Sequence, residues 1–177
     1  MKLTKACILV AGTGSRLRPL TVTKPKPLIP ILNKPMLDYM IESLVENGIE
    51  QILLIVGYKK EQIHDYYKDG SEYNVKITYT EQKEFLGTGD ATNLAKSFAS
   101  GDPIILVYGD LFVDSKVLSI MINNFKKDAS QGAIIAREVL DPTKYGILKQ
   151  NHENYLEEIV EKPADDRFGN LANAGIY

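Results

Sequence analysis

Cysteine is almost missing from this chain: Cys7 is the only one in 177 residues. That excludes an internal disulfide framework and a Cys-rich metal site, and it fits a reducing compartment. Cys7 falls inside an apolar run, so a small buried core residue is expected there. Long apolar runs are also missing. None approaches the roughly 18 residues a membrane helix needs, and Met1–Lys5 leads straight into a run of only about six apolar residues, too short for a signal peptide. A cytoplasmic protein without a membrane partner is expected. An excess of charge of one sign is missing too. Lys and Arg total 21 against 23 Asp and Glu, a net charge of −2. With no broad basic field, nucleic acid is not expected as a partner. A small anion can still be held by a few local Lys and Arg side chains. Apolar residues at 44% and charged residues at 25% are ordinary for a globular protein, and the length suits one α/β domain.

Apolar runs alternate with amphipathic stretches. Ala6–Val10, Gln51–Val56 and Ile104–Tyr108 read as buried strands, and Val75–Thr80 alternates as a strand does. Between them, Pro35–Asn47, Lys60–Lys68, Asp90–Phe98 and Lys116–Lys127 read as helices. The first has Met36, Leu37, Met40, Ile41, Leu44 and Val45 on one face and Gly48 past its end. The last turns Val117, Leu118, Met121, Ile122 and Phe125 inward. Ala133–Arg137, Gly146–Gln150, Tyr155–Val160 and Gly175–Tyr177 read as further strands. Continuous apolar strands separated by helices predict a mostly parallel sheet covered on both faces. Ligands of such sheets bind outside the carboxyl ends of the strands. Gly12–Arg16 and Gly109-Asp110 fall there. No repeat or linker interrupts the chain, so residues 1–177 read as one domain. The strand expected at Gly175–Tyr177 has no closing helix after it, which suggests a domain cut short at its C-terminal end.

The first loop reads Ala11-Gly12-Thr13-Gly14-Ser15-Arg16-Leu17-Arg18-Pro19-Leu20-Thr21. Glycines let backbone N–H groups approach an anion, and an arginine can fork two hydrogen bonds to phosphate. The glycines alone are equally compatible with a plain tight turn. A Walker loop is absent. A dinucleotide fingerprint fails because Leu17 stands where the third glycine belongs and Pro19, Pro25, Pro27 and Pro30 prevent an immediate helix.

The longer string, Leu9 to Thr21 followed by Lys24-Pro25-Lys26-Pro27-Leu28, resembles the motif of the sugar-phosphate nucleotidylyltransferase family. That motif runs (A/G)-G-x-G-(T/S)-R-(L/M)-x-P-L-T and then P-K-P. The resemblance extends over essentially the whole chain and is nearest to glucose-1-phosphate thymidylyl- and uridylyltransferases. It implies a Rossmann-like three-layer α/β/α domain with a mostly parallel central sheet, the nucleotide-diphospho-sugar transferase fold. It implies that Ala11, Gly12, Thr13, Gly14 and Ser15 cradle the nucleotide, and that Arg16 and Lys26 are catalytic. Glu81-Gln82 with Phe85-Leu86-Gly87-Thr88-Gly89-Asp90-Ala91 looks like the base-recognition segment, which brings Gln82, Gly87 and Thr88 to the nucleotide. Without that motif Gln82 would read as a solvated loop residue. Tyr108-Gly109-Asp110 resembles the metal-binding turn, with Asp110 as a Mg²⁺ ligand. The family's second metal ligand lies beyond residue 177.

Tyr145-Gly146, Glu161-Lys162-Pro163 and Asn173-Ala174-Gly175 resemble the sugar-phosphate pocket, which with Tyr108 would use Gly146, Glu161, Lys162 and Asn173. Glu161 and Lys162 alone would read as an exposed pair at a strand end. His64 and His152 match no motif and read as surface residues. The implied reaction joins an NTP, with UTP or dTTP favoured, to a glucose 1-phosphate-like sugar 1-phosphate, giving NDP-sugar and pyrophosphate. The sequence leaves open a homo-oligomer, a GTP-using mannose-1-phosphate guanylyltransferase, a silent nucleotide-binding regulatory module and a cytidylyltransferase acting on phosphocholine. A dehydrogenase fits least.

Overall fold

The structure, a computed structural model, describes residues 2–84, 86–127 and 130–177. Met1, and Phe85 of the proposed base-recognition segment, lie outside the described residues. The strands in chain order are β1 (Lys5–Leu9), β2 (Pro30–Ile31), β3 (Lys34–Pro35), β4 (Gln51–Val56), β5 (Lys76–Glu81), β6 (Ile104–Tyr108), β7 (Ala136–Glu138), β8 (Gly146–Gln150), β9 (Leu156–Glu161) and β10 (Leu171–Asn173). The α-helices are α1 (Met36–Glu46), α2 (Lys60–Tyr67), α3 (Thr88–Asn93), α4 (Lys96–Ala99) and α5 (Ser115–Lys127). Two compact units divide the chain, Met1–Ala129 and Ser130–Tyr177.

The first unit is built on a four-stranded sheet of order β5-β4-β1-β6, parallel at each pairing. Its strands are apolar on both faces because both are covered. Cys7, Leu53 and Ile55 pack with Ala91 and Ala95 from the α3–α4 segment, backed by Leu94, Phe98 and Leu106. The alternate residues Ala6, Ile8, Ile52 and Leu54 are equally inaccessible, so the opposite face is covered as well. Helix α1 contributes Leu37, Met40, Ile41 and Leu44, all buried, at the spacing its sequence predicts. It ends where Gly48, at φ +82°, takes up the left-handed turn.

Strand order fixes where a ligand can go. From β1 the chain steps outward through β4 to β5, then returns to place β6 on the other side of β1. The reversal lies between β1 and β6. The loops leaving the carboxyl ends of those two strands therefore part and leave a crevice.

The second unit is a four-stranded sheet of order β7-β10-β8-β9 whose pairings are antiparallel. The expectation of a mostly parallel sheet thus holds for the first unit, and the second carries its own antiparallel one. Other local expectations need correction. The helix expected over Asp90–Phe98 is two short helices, α3 and α4. Gly175–Tyr177 is not a strand: the last strand is Leu171–Asn173, and only Ile176 forms an isolated bridge, accepting from the Ile135 N–H. The strand expected at Ala133–Arg137 begins at Ala136. On α5 the buried residues are Leu118 and Ile122, while Val117 is exposed. A helix covering one face buries a narrow stripe, and Val117 falls at its margin.

Candidate functional site

A cavity of about 440 Å³ occupies the crevice at the ends of β1 and β6, wholly inside the first unit. Three stretches of chain form its walls. Ala11, Gly12, Gly14, Ser15 and Arg16 come from the loop after β1, with Lys26 and Pro27 beyond it. Gln82, Gly87 and Thr88 come from the end of β5 and the start of α3, and Tyr108, Gly109 and Asp110 from the end of β6. Of the sequence-predicted nucleotide residues, Thr13 is in the same loop but is not on the wall.

The loop is held by backbone and by one buried side chain. Val10 N–H donates to the Ile55 carbonyl, and the Ala11 carbonyl accepts from the Tyr58 N–H. Gly14 sits at φ +62°, and a Cβ there would meet Thr21 Cγ2 at 2.8 Å and Lys26 Cβ at 3.1 Å. Both its conformation and its surroundings therefore require glycine. Thr21 is 1% exposed; its hydroxyl donates to the Gly14 carbonyl at 3.0 Å, and its own carbonyl accepts from the Tyr58 hydroxyl at 3.1 Å. Thr21 is a clamp on the loop that sequence reasoning quoted in its motif without giving it a role. Gly109 is fixed differently: a Cβ there would meet Val10 Cγ1 at 2.3 Å and the Leu9 carbonyl at 2.9 Å. Glycine lets β6 turn off against β1 and bring Asp110 to the cavity.

Lys26 opens a 3₁₀ turn, Lys26–Leu28, that follows the extended Pro25 and buries Pro27 and Leu28. Buried Pro27 and Leu28 anchor the turn while the lysine stays on the wall. Its Nζ lies 2.6 Å from Asp110 Oδ2, with the two side chains 26% and 49% exposed. Two opposite charges from distant parts of the chain thus face each other in one water-accessible crevice. Arg16 is exposed on the same wall, in a 3₁₀ turn Ser15–Leu17.

Gln82 is buried, 6% exposed, and does not behave as a solvated loop residue. Its amide nitrogen donates to the Gly87 carbonyl at 3.1 Å and to Asp90 Oδ2 at 2.9 Å. Asp90 stood in the quoted motif, but no role followed from its position. Gly87, at φ +101°, is in a conformation that only glycine adopts readily.

Among the described residues no group of three or more His, Cys, Asp or Glu could hold a metal ion. A closed protein cage is therefore not offered there. The lone accessible carboxylate of Asp110 instead suits Mg²⁺, a hard cation that takes one or two carboxylates and fills its shell with phosphate and water oxygens.

The remaining sequence-predicted residues lie in the second unit. Gly146 pairs with Glu161 across β8 and β9. A Cβ on Gly146 would meet Glu161 Oε2 at 3.0 Å and Asn173 Cβ at 3.9 Å, so these three residues converge. Asn173 donates to the Tyr177 hydroxyl at 2.5 Å and accepts from the Gly175 N–H at 2.8 Å. Lys162 follows β9 at φ +45°; its N–H donates to the Tyr145 carbonyl at 3.0 Å, and its Nζ is 3.7 Å from Glu161. Both of those side chains are well exposed. Tyr108 alone of the predicted sugar residues lines the cavity of the first unit. His64, stacked on Tyr79 at 3.9 Å between ring centroids, and His152 are both on the surface as expected.

A parallel sheet with a Gly-rich loop at its switch point, flanked by Arg16, Lys26 and an accessible carboxylate, defines an α/β protein with a candidate anion site. The particular family follows from comparison: the chain belongs to the nucleotidyl transferase family, whose model matches residues 5–177. It is 41% identical over 173 residues to the bifunctional protein GlmU of Methanococcus maripaludis strain S2, covering 97% of this chain and 39% of that protein. It is 39% identical to a mannose-1-phosphate guanyltransferase of Aspergillus oryzae, covering 98% of this chain and 48% of that one. The chain thus spans less than half the length of each. Among solved structures, a UDP-glucose pyrophosphorylase complexed with UDP-glucose superposes with a TM-score of 0.86 at 25% identity, covering 99% of this chain and 75% of that one.

Proposed function

We propose that this chain is the nucleotide- and sugar-phosphate-gripping part of a sugar-1-phosphate nucleotidylyltransferase, with residues 1–177 belonging to one nucleotidyltransferase domain. The observation that carries this reading is the Lys26–Asp110 pair, 2.6 Å apart, in the same cavity as the Gly-rich loop and Arg16. Transfer between two polyanions needs positioning and charge neutralisation more than a strong base. The attacking phosphate is already ionised near neutral pH, its second pKa being about 6. Its oxygen forms the new bond to the α-phosphorus as the bond to pyrophosphate breaks on the opposite side. Ala11, Gly12, Gly14 and Ser15 cradle the triphosphate. Arg16 meets the charge that grows on the leaving pyrophosphate. Lys26 neutralises the phosphates that come together. Gln82, Gly87 and Thr88 hold the base end. Asp110 would hold Mg²⁺, which when bound supplies Lewis acidity and screens phosphate charge. In the second unit Gly146, Glu161, Lys162 and Asn173 take the sugar phosphate; in the first, Tyr108 lines the cavity.

UTP or dTTP with a glucose 1-phosphate-like acceptor is the favoured pair, supported by the UDP-glucose seen in the structural relative. The guanyltransferase relative favours GTP as a second reading. The free thiol of Cys7 suits a reducing, cytoplasmic setting.

The test is Mg²⁺-dependent pyrophosphate release by the full-length protein over a panel of NTPs and sugar 1-phosphates. Lys26→Ala is expected to lower kcat by at least about a hundredfold, the scale on which one preorganised charge acts, with an unchanged melting temperature. Near-normal turnover by that variant would remove Lys26 from the mechanism. No release across the whole panel by the wild-type protein would favour a silent nucleotide-binding module.

A further inference from the structure

The amide of Gln82 has two ends, a donor and an acceptor, and which end faces the cavity decides which bases it can meet. One end lies between the Gly87 carbonyl at 3.1 Å and Asp90 Oδ2 at 2.9 Å. Both of these groups are acceptors. The end between them must therefore be the NH₂, whatever the fit of the two near-isosteric ends. The carbonyl oxygen is left at the other end. It takes no hydrogen bond within the described residues, where Thr78 Oγ1 is the only buried side-chain oxygen or nitrogen without a partner. Gln82 itself lines the cavity, so this end of the amide is the one left to meet a ligand. Asp90 matters more than Gly87 to this choice, because the Gly87 carbonyl already accepts from the Ala91 N–H at 3.2 Å. A carboxylate also accepts more strongly than a peptide carbonyl.

We propose that Asp90 is a positioning residue for base selection: it fixes the Gln82 amide with its oxygen toward the nucleotide, so that the site prefers bases carrying a ring N–H. Uracil, thymine and guanine carry that hydrogen at the ring nitrogen of their pairing edge. Cytosine and adenine present a bare lone pair there, and an acceptor would face an acceptor. Turning the amide over would cure that conflict for cytosine only by setting two acceptors against Gln82 Oε1. Asp90 thus rejects the wrong base without touching any base. This rests on the reading of Gln82 as the base-contacting residue of a nucleotide site.

Affinities for UTP and CTP, rings of the same size, are measured by calorimetry on the full-length wild-type protein and on Asp90→Asn. The asparagine keeps the shape but can accept or donate, so either amide orientation becomes tolerable. The expected result is a UTP-over-CTP preference in the wild type that falls by about tenfold in Asp90→Asn, the effect of one misplaced hydrogen bond. Tripolyphosphate, which has no base, should bind both proteins alike. A second variant, Gln82→Met, should lose the preference by itself and make the Asp90→Asn change silent, which also covers a poorly folding Asp90→Asn. An unchanged UTP/CTP ratio in Asp90→Asn overturns the role of Asp90 and leaves the nucleotide site standing. Equal weakening of UTP, CTP and tripolyphosphate also overturns it, by making Asp90 merely structural. A wild-type protein that binds neither nucleotide overturns the nucleotide reading and this inference together.

Discussion

Gly12 and Gly14 stand two residues apart in one loop, yet the structure separates what each is for. Gly14 lies at φ +62°, where an alanine costs about 1–2 kcal/mol. Its Cβ would also come within 2.8 Å of Thr21 Cγ2 and 3.1 Å of Lys26 Cβ. Thr21 cannot swing away, because it is 1% exposed and its hydroxyl is bonded to Gly14 itself. Overpacking of that kind adds about 1–3 kcal/mol. Gly14→Ala should therefore lose roughly 2–5 kcal/mol, and at about 2–4 °C per kcal/mol for a chain of this size the melting temperature should fall by roughly 4–20 °C. Gly12 is not among the glycines at positive φ, and a Cβ there would meet no protein atom within 4 Å. Its fold needs no glycine. Its place on the cavity wall does, if a phosphate comes up against the bare backbone.

Gly12→Ala should accordingly melt at the wild-type temperature or slightly above, since a less flexible unfolded chain favours folding by about 0.4–1 kcal/mol. Its affinity for UTP should fall by about 10–100-fold, on the same overpacking scale of about 1–3 kcal/mol. Thermal melts without ligand, followed by calorimetric titration with UTP and Mg²⁺, read the two effects separately. The reasoning is refuted if Gly12→Ala destabilises as much as Gly14→Ala. It is equally refuted if Gly12→Ala binds UTP as the wild type does.

Two other expectations concern the frame around the site. Asp38, in the first turn of α1, is 4% exposed and accepts from the Tyr67 hydroxyl at 2.7 Å and the Tyr66 hydroxyl at 3.4 Å. Burial pushes its carboxyl above the ordinary 3.8, although the tyrosine hydroxyls oppose the shift. The folded state then holds this proton more tightly than the unfolded chain does. Asp38 consequently weakens the fold as pH rises through the raised value, and the penalty vanishes below the ordinary one. Asp38→Asn, which keeps an acceptor for Tyr67, should be more stable than the wild type at pH 8. Chemical denaturation should show that advantage shrinking toward pH 4, and a constant difference would contradict the assignment. The Thr78 hydroxyl in β5 is buried without a hydrogen-bond partner. Thr78→Val should stabilise by up to about 1 kcal/mol in the same assay, and a clear loss of stability would show that the hydroxyl has a partner in solution.

What the sequence made legible is what depends on local pattern. The apolar strands Gln51–Val56 and Ile104–Tyr108 are found at those bounds, and the face of α1 that buries Leu37, Met40, Ile41 and Leu44 follows from helical spacing. The Asp90–Phe98 stretch was less legible. Its apolar residues Ala91, Leu94, Ala95 and Phe98 all pack on one face of the sheet, which is the helical pattern, yet the helix is interrupted at Leu94-Ala95. A turn that keeps the same face inward leaves no trace in periodicity. In the second sheet β8 and most of β9 were legible, whereas β10 at Leu171–Asn173 was not; short strands also carry little sign of their direction, and the antiparallel order emerged only from the pairings.

The site shows the same division more sharply. Arg16, Lys26 and Asp110 could be singled out as charges beside glycine-bearing loops. Their mutual arrangement could not, because Lys26 and Asp110 are 84 residues apart. They meet only because β6 is laid against β1, with Ile104 in register with Lys5 and Tyr108 with Leu9. Gly109 then turns the chain so closely over β1 that no side chain fits. The pairing is a consequence of strand order, and it lets the fold keep two opposite charges in one crevice without stranding either. Thr21 and Asp90 escaped notice for the complementary reason. Each acts within ten residues of what it holds, Gly14 in one case and Gln82 in the other. Neither residue type announces a role at that distance, because a threonine after Pro-Leu or an aspartate in a first helical turn has an ordinary local use. Only the direction of the hydrogen bonds, hydroxyl to carbonyl and amide to carboxylate, ties one residue to the Gly-rich loop and the other to the orientation of an amide.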